Sequence, residues 1–295
     1  MFDIVYFVQT VVIGLTAITT LVLFALLLRA PAVGHDYTRR WVTFTKAALG
    51  TWGISRVLYT ISSIIFLAQN QNNNLYYYAP GYFRAYNFLY LICMTIETIG
   101  HLFIYLALFF LAHALTQLRT GTDEESRAYL RGRAFSFSAV SLVAVLAVVT
   151  MGLYMSSFVD MMRGYSYYSS SQADVYMIKY TIAMALKVAV PGILIICGLG
   201  VMIYAIKSRS KARGTPVFKA GTLLLVGSIM FILRNAWDLT MSIIQFDIFG
   251  ILDIILNHWA TLVVLVLLYV LATQDKFNLS EAQCRANVGT KEETV

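Results

Sequence analysis

Seven apolar runs, each about twenty residues or longer, divide this chain, and runs of that length admit few folds. Where lipid replaces water, every backbone N–H and C=O must be satisfied within the segment, so each run reads as a membrane-crossing helix. The runs fall at 5–28, 47–69, 86–118, 135–159, 175–206, 220–246 and 248–273. The fold class is therefore all-α: a polytopic membrane protein with one seven-helix transmembrane domain over 1–273, followed by a polar tail, 274–295, that reads as disordered. A composition that is 59% hydrophobic and 13% charged, with a mean hydropathy of +0.71, excludes an ordinary soluble domain. Residues 1–9 carry no basic segment, so the first run reads as a retained helix and not as a cleaved leader.

The net charge of +7 would elsewhere suggest nucleic acid. Here the bases sit in short loops: Arg39, Arg40 and Lys46 after helix one; Arg119, Arg127, Arg131 and Arg133 after helix three; Lys207, Arg209, Lys211, Arg213 and Lys219 after helix five. The other side offers chiefly Arg84 and Arg163. By the positive-inside rule the N-terminus is outside or lumenal and the tail cytosolic, in the endoplasmic reticulum or the plasma membrane. The partner of this basic charge is thus the lipid bilayer, and no nucleic acid is expected. Cys93, Cys197 and Cys284 are scattered and show neither a disulfide framework nor zinc spacing. Pro80-Gly81, in the tyrosine-rich loop 70–84, reads as a turn.

Polar residues inside the runs are the functional candidates, because a charge at bilayer depth is costly unless it faces a partner or a wet cavity. Helix two carries Arg56; helix three, Glu97 and His101; helix five, Lys187; helix six, Arg234, Asn235, Trp237 and Asp238; helix seven, Asp253, Asn257 and His258. At about 1.5 Å of rise per residue, Arg56, Glu97, His101, Arg234 and His258 fall near the midplane, with Lys187, Asp238 and Asn257 close by and Asp253 further outward. Glu97 and His101, Arg234 and Asp238, and Asp253 and Asn257 are each four apart, so each helix presents one polar face, which must point inward. Tyr59, Tyr105, Trp237 and Trp259 lie near the same depth, where ring faces can line an apolar ligand or stabilise a cation. Pro191 removes the amide that would bond the carbonyl of Lys187, so a kink or polar opening is expected there, with Gly192, Gly198 and Gly200 as candidate hinges.

Two readings follow. In one, Arg56 and Arg234 are neutralised by Glu97, Asp238 and Asp253, and the network only holds the bundle together. In the other it floors a pocket, where a carboxyl in a dry site keeps its proton and can donate it to a substrate. His101 and His258 have no further metal-ligand spacing, so neither a metal nor another cofactor is expected. Arg56 to Tyr59 matches Arg234 to Trp237 as Arg-x-x-aromatic, and Gly100-His101 parallels Asn257-His258. These pairs suggest a 3+1+3 parallel repeat with helix four as linker.

Helix three has no acid-Arg-Tyr ending and helix seven no Asn-Pro-x-x-Tyr, which argues against a rhodopsin-like receptor; without a lysine in helix seven, a retinal protein is also disfavoured. With arginines in helices two and six, the span 5–273 resembles the fungal seven-helix integral membrane proteins, a plan that fungal lipid-translocating exporter proteins share. In kind it also resembles the small membrane-bound terpene cyclases of fungal meroterpenoid pathways, which depend on intramembrane acids. That resemblance implies acid-initiated cyclisation of a prenylated, possibly epoxidised, hydrophobic substrate dissolved in the membrane. Asp238, beside Trp237, and Glu97 would be the catalytic acids. Arg56, Arg234, His101, His258, Asp253, Asn257, Tyr59 and Trp237 would bind the substrate. The alternative is a translocator or sensor of a lipid or small molecule, using the same cavity.

Overall fold

The computed structural model describes residues 2–29, 39–71, 80–120, 127–164, 170–213, 217–244 and 250–274, together with Phe277 and Leu279. Its helices are α1 (Phe2–Arg29), α2 (Arg40–Gln71), α3 (Pro80–Thr120), α4 (Arg127–Gly164), α5 (Ser170–Lys211) and α6 (Val217–Ile244). The last, α7, runs in three successive stretches: α-helical at Gly250–Asp253, π-helical at Ile254–Trp259 and α-helical again at Ala260–Thr273. All seven are long and apolar enough to cross a membrane, with mean hydropathies of 1.3 to 2.7 over their spans. The tail beyond 279 and the loop centres 72–79 and 165–169 lie outside the described residues.

Most helices overrun their apolar cores. Arg40 and Lys46 belong to α2, and Arg127, Arg131 and Arg133 to α4, so much of what reads as basic loop is helix. Arg and Lys are good helix formers, and backbone bonding need not stop where the hydrocarbon does. Pro80 opens α3 where a turn was expected, because the first helical position loses nothing by lacking an N–H.

Each helix packs on its sequence neighbours and α1 returns to α7, while α3 also meets α5, α6 and α7. The central place of α3 is plain from its span, 78% buried against 22–44% for the others. Its lower half, Leu102 to Leu115, is almost wholly buried among Leu224 and Phe231 of α6 and Val264, Leu265 and Leu268 of α7. The opposite faces expose apolar side chains, such as Phe7, Leu15, Val145, Ile178 and Ile196, as expected of surfaces that meet lipid.

Glycine decides two helix contacts. A Cβ on Gly100 would sit 3.4 Å from the Trp52 backbone nitrogen, which marks a close approach of α2 to α3. On Gly198 it would fall 2.8 Å from Ile232 and 3.1 Å from Phe231, so this glycine seats α5 on α6. Gly192 and Gly200, the other two candidate hinges, have open space where a Cβ would be. α5 stays helical through Pro191.

Candidate functional site

Polar side chains buried in a bundle must find partners among themselves, and here they do so on one carboxylate. Glu97, on α3, forms ion pairs with Arg56 of α2 and, at 3.2 Å, with Arg234 of α6. Arg56 is 0% exposed. Its guanidinium also donates to His258 Nδ1 on α7, and it stacks over Trp52 and Tyr59 with Cζ 5.1 and 5.4 Å from the ring centroids. Below it Ser55 and Cys93 interlock α2 and α3, the Ser55 hydroxyl reaching the Cys93 carbonyl at 3.2 Å and the thiol reaching back to the Ser55 carbonyl at 3.1 Å.

Arg234 has four partners. Besides Glu97, its guanidinium donates to Asn257 Oδ1 at 3.1 Å, to Asn235 Oδ1 at 3.2 Å and to Asp238 Oδ2 at 3.3 Å. Asp253, expected to neutralise an arginine, instead accepts from the Trp237 indole N–H at 3.0 Å. Its other oxygen lies 3.9 Å from His258 Nε2, too far for a hydrogen bond. Because Arg56 donates to Nδ1, a neutral His258 carries its proton on Nε2, on the Asp253 side. His101 is buried with Nε2 3.5 Å from a Glu97 oxygen, and among the described residues its Nδ1 has no hydrogen-bond partner.

All ten residues singled out as catalytic or binding candidates therefore lie in or against one network joining α2, α3, α6 and α7. Tyr59 completes it edge-on to His258, with ring centroids 5.9 Å apart. The two other aromatics expected at this depth do not join: Tyr105 bonds Ser136 on α4 at 2.7 Å, and Trp259 faces outward, 48% exposed.

The π-helical stretch makes the α7 contribution possible. In an α-helix Asp253 and Asn257 would share a face and His258 would turn away from it. The i to i+5 pairing of a π-helix shifts that register, and single π turns recur at functional sites. Asp253, Asn257 and His258 thereby all reach the network.

Beside the network lies a cavity of about 520 Å³ between α3, α4, α5 and α6, within the size range of small-molecule sites. Its walls are mainly methionine and tyrosine, including Met94, Met161, Met184, Tyr90, Tyr154 and Tyr180. A smaller chamber of about 60 Å³ shares Leu91, Met94, Tyr154 and Lys187 with it and adds Thr150, Pro191 and Asp238. The opening expected near Pro191 and Lys187 thus has a counterpart in this chamber. Sequence reasoning missed the α4 wall, because Tyr154 and Ser157 stand in an apolar run like any tyrosine or serine of a transmembrane helix. Among the described residues no three His, Cys, Asp or Glu side chains gather as a metal site. No protein family, curated protein or solved structure matches this chain.

Proposed function

We propose that this chain, an integral membrane protein of the fungal seven-helix kind, binds a lipid-like small molecule in the cavity and acts as its sensor. The observation that carries this reading is the double position of Asp238, which lines the inner chamber with Lys187 and also accepts from Arg234. A ligand whose head enters this chamber acts on Asp238, by attraction or by repulsion, and so changes its hold on Arg234, whose other bonds tie α6 to α3 and α7. Occupancy can then shift the helix arrangement by as much as the ligand prefers one arrangement over the other. Translocation has less support, since the packed half of the bundle around 102–115 would have to open.

Acid-initiated terpene cyclisation is the second reading, and Asp238 favours this too: it lines the inner chamber that Tyr154 shares with the larger cavity, whose tyrosine ring faces can take up positive charge. Glu97 is less suited to donate a proton, because it serves two guanidiniums as counter-ion. Asp238 is likewise already engaged, by Arg234 at 3.3 Å, which is why sensing leads.

We further propose that the N-terminus is outside and the tail cytosolic, supported by basic residues at the helix ends where α1 meets α2, α3 meets α4 and α5 meets α6. Arg39 donates to the Ala272 carbonyl at 2.8 Å, which brings the start of α2 beside the end of α7 at that same end. A 3+1+3 repeat is supported by Arg56 and Arg234 reaching one carboxylate from α2 and α6.

One experiment separates the readings. The full chain in nanodiscs is offered a panel of prenylated phenols, epoxidised prenyl compounds and fatty acids, and each sample is divided between hydrogen exchange and product analysis by mass spectrometry. Sensing predicts a bound compound that leaves unchanged in mass and structure while altering exchange across 250–261. A cyclised product that is lost in Asp238→Asn would replace the sensing reading with the enzyme.

A further inference from the structure

Among the described residues Lys187 is the one charged side chain bordering both chambers. It lies eight residues, about 12 Å along α5, below Lys179, which bonds Asp160 of α4 at 2.6 Å. Among the described residues Lys187 has no hydrogen-bond or ion-pair partner, although a cation at such depth is costly without one. Across from it α4 presents three hydroxyls on one face, Thr150, Tyr154 and Ser157, spaced four and three apart. Ser157 is 2% exposed, and among the described residues its Oγ has no partner; Thr150 Oγ1 is likewise buried and unpartnered. Among the described residues Tyr154 donates only to the Met184 sulfur, at 2.7 Å, a weak acceptor that a better one would displace.

Around the junction of the chambers, then, the hydrogen-bonding capacity left unused among the described residues is one ammonium together with hydroxyls that can donate as well as accept. The other charge bordering it is Asp238, already bonded to Arg234; the Lys179 and Asp160 pair stands further out and offsets itself. We infer that the cavity selects amphiphiles with an anionic, carboxylate-type head, bound to the Lys187 ammonium and the α4 hydroxyls, with the apolar body among Met94, Met161 and Met184. This inference rests on the cavity being the binding site of the proposed function. It adds the charge of the ligand, which nothing in the network itself dictates.

The test uses the full chain in phosphatidylcholine nanodiscs and a photoreactive diazirine analogue of hexadecanoate, competed by hexadecanoate, hexadecanol or hexadecyltrimethylammonium. Saturable labelling is expected in peptides covering 87–94, 150–161 and 176–187. Hexadecanoate should compete at least about tenfold better than the alcohol, as expected of one hydrogen bond to a charged group, and better still than the cation. Lys187→Met should lose that preference, Lys187→Arg should keep it, and Asp238→Asn should strengthen binding by removing a repulsive charge. Labelling in these peptides with equal competition by acid and alcohol, an unchanged preference in Lys187→Met, or weaker binding in Asp238→Asn overturns the anionic head and leaves the cavity standing. Saturable labelling confined to other peptides, or no saturable labelling, overturns the proposed function together with this inference.

Discussion

Replacing Glu97 by Gln removes the one charge that Arg56 and Arg234 share, and the two arginines should suffer unequally. Arg56 is fully buried, and Glu97 is its only carboxylate among the described residues; what remains is His258, a 3.4 Å contact to Ser55 and the faces of Trp52 and Tyr59. Arg234 keeps Asp238, Asn235 and Asn257. Stranding one member of a buried pair costs about 3–5 kcal/mol, so Glu97→Gln should destabilise by about that much, mostly through Arg56. Removing the stranded cation as well, in Arg56→Met with Glu97→Gln, should recover part of the loss. The coupling in a double-mutant cycle should approach about 2–3 kcal/mol for Arg56 with Glu97, against about 1 kcal/mol for Arg234 with Glu97. Reversible unfolding in bicelles, followed by steric trapping, measures all the corners. A coupling below about 1 kcal/mol for Arg56 with Glu97, or a larger one for Arg234, would refute the reasoning that Arg56 depends on this carboxylate.

Gly198 and Gly200 make a matched pair on α5. Gly198→Ala pushes a methyl into Ile232 and should cost about 1–3 kcal/mol, whereas Gly200→Ala meets nothing and should be tolerated, both read as shifts of the unfolding midpoint. Equal midpoints for the two variants would mean that the α5 to α6 contact is not set at Gly198. A reporter fused after Val295 should read cytosolic, and a lumenal or extracellular reading would reverse the proposed orientation.

The sequence by itself determined the seven helices, because a run of apolar residues in lipid has no other way to satisfy its backbone. It also identified the members of the network, since each charge in such a run is conspicuous and the spacing of four puts neighbours on one face. It anticipated Glu97 and Asp238 as carboxylates for the two arginines, but it did not determine every partner. Asp253 was expected on an arginine and bonds the Trp237 indole, because helix seven departs from α geometry at 254–259 and turns Asn257 and His258 inward. Nothing in Ile254 to Trp259 announces a π turn, since it depends on how α1 and α6 pack against that stretch. Helix ends were misjudged for the opposite reason: Pro80-Gly81 carries a local turn signal, and the arginines of α2 and α4 mark where the apolar core ends but, being good helix formers, not where the helix does. The larger cavity belonged to the tertiary structure. Its methionines and tyrosines are ordinary residues of transmembrane helices one at a time, and only the way α3, α4, α5 and α6 diverge gives them a space to surround.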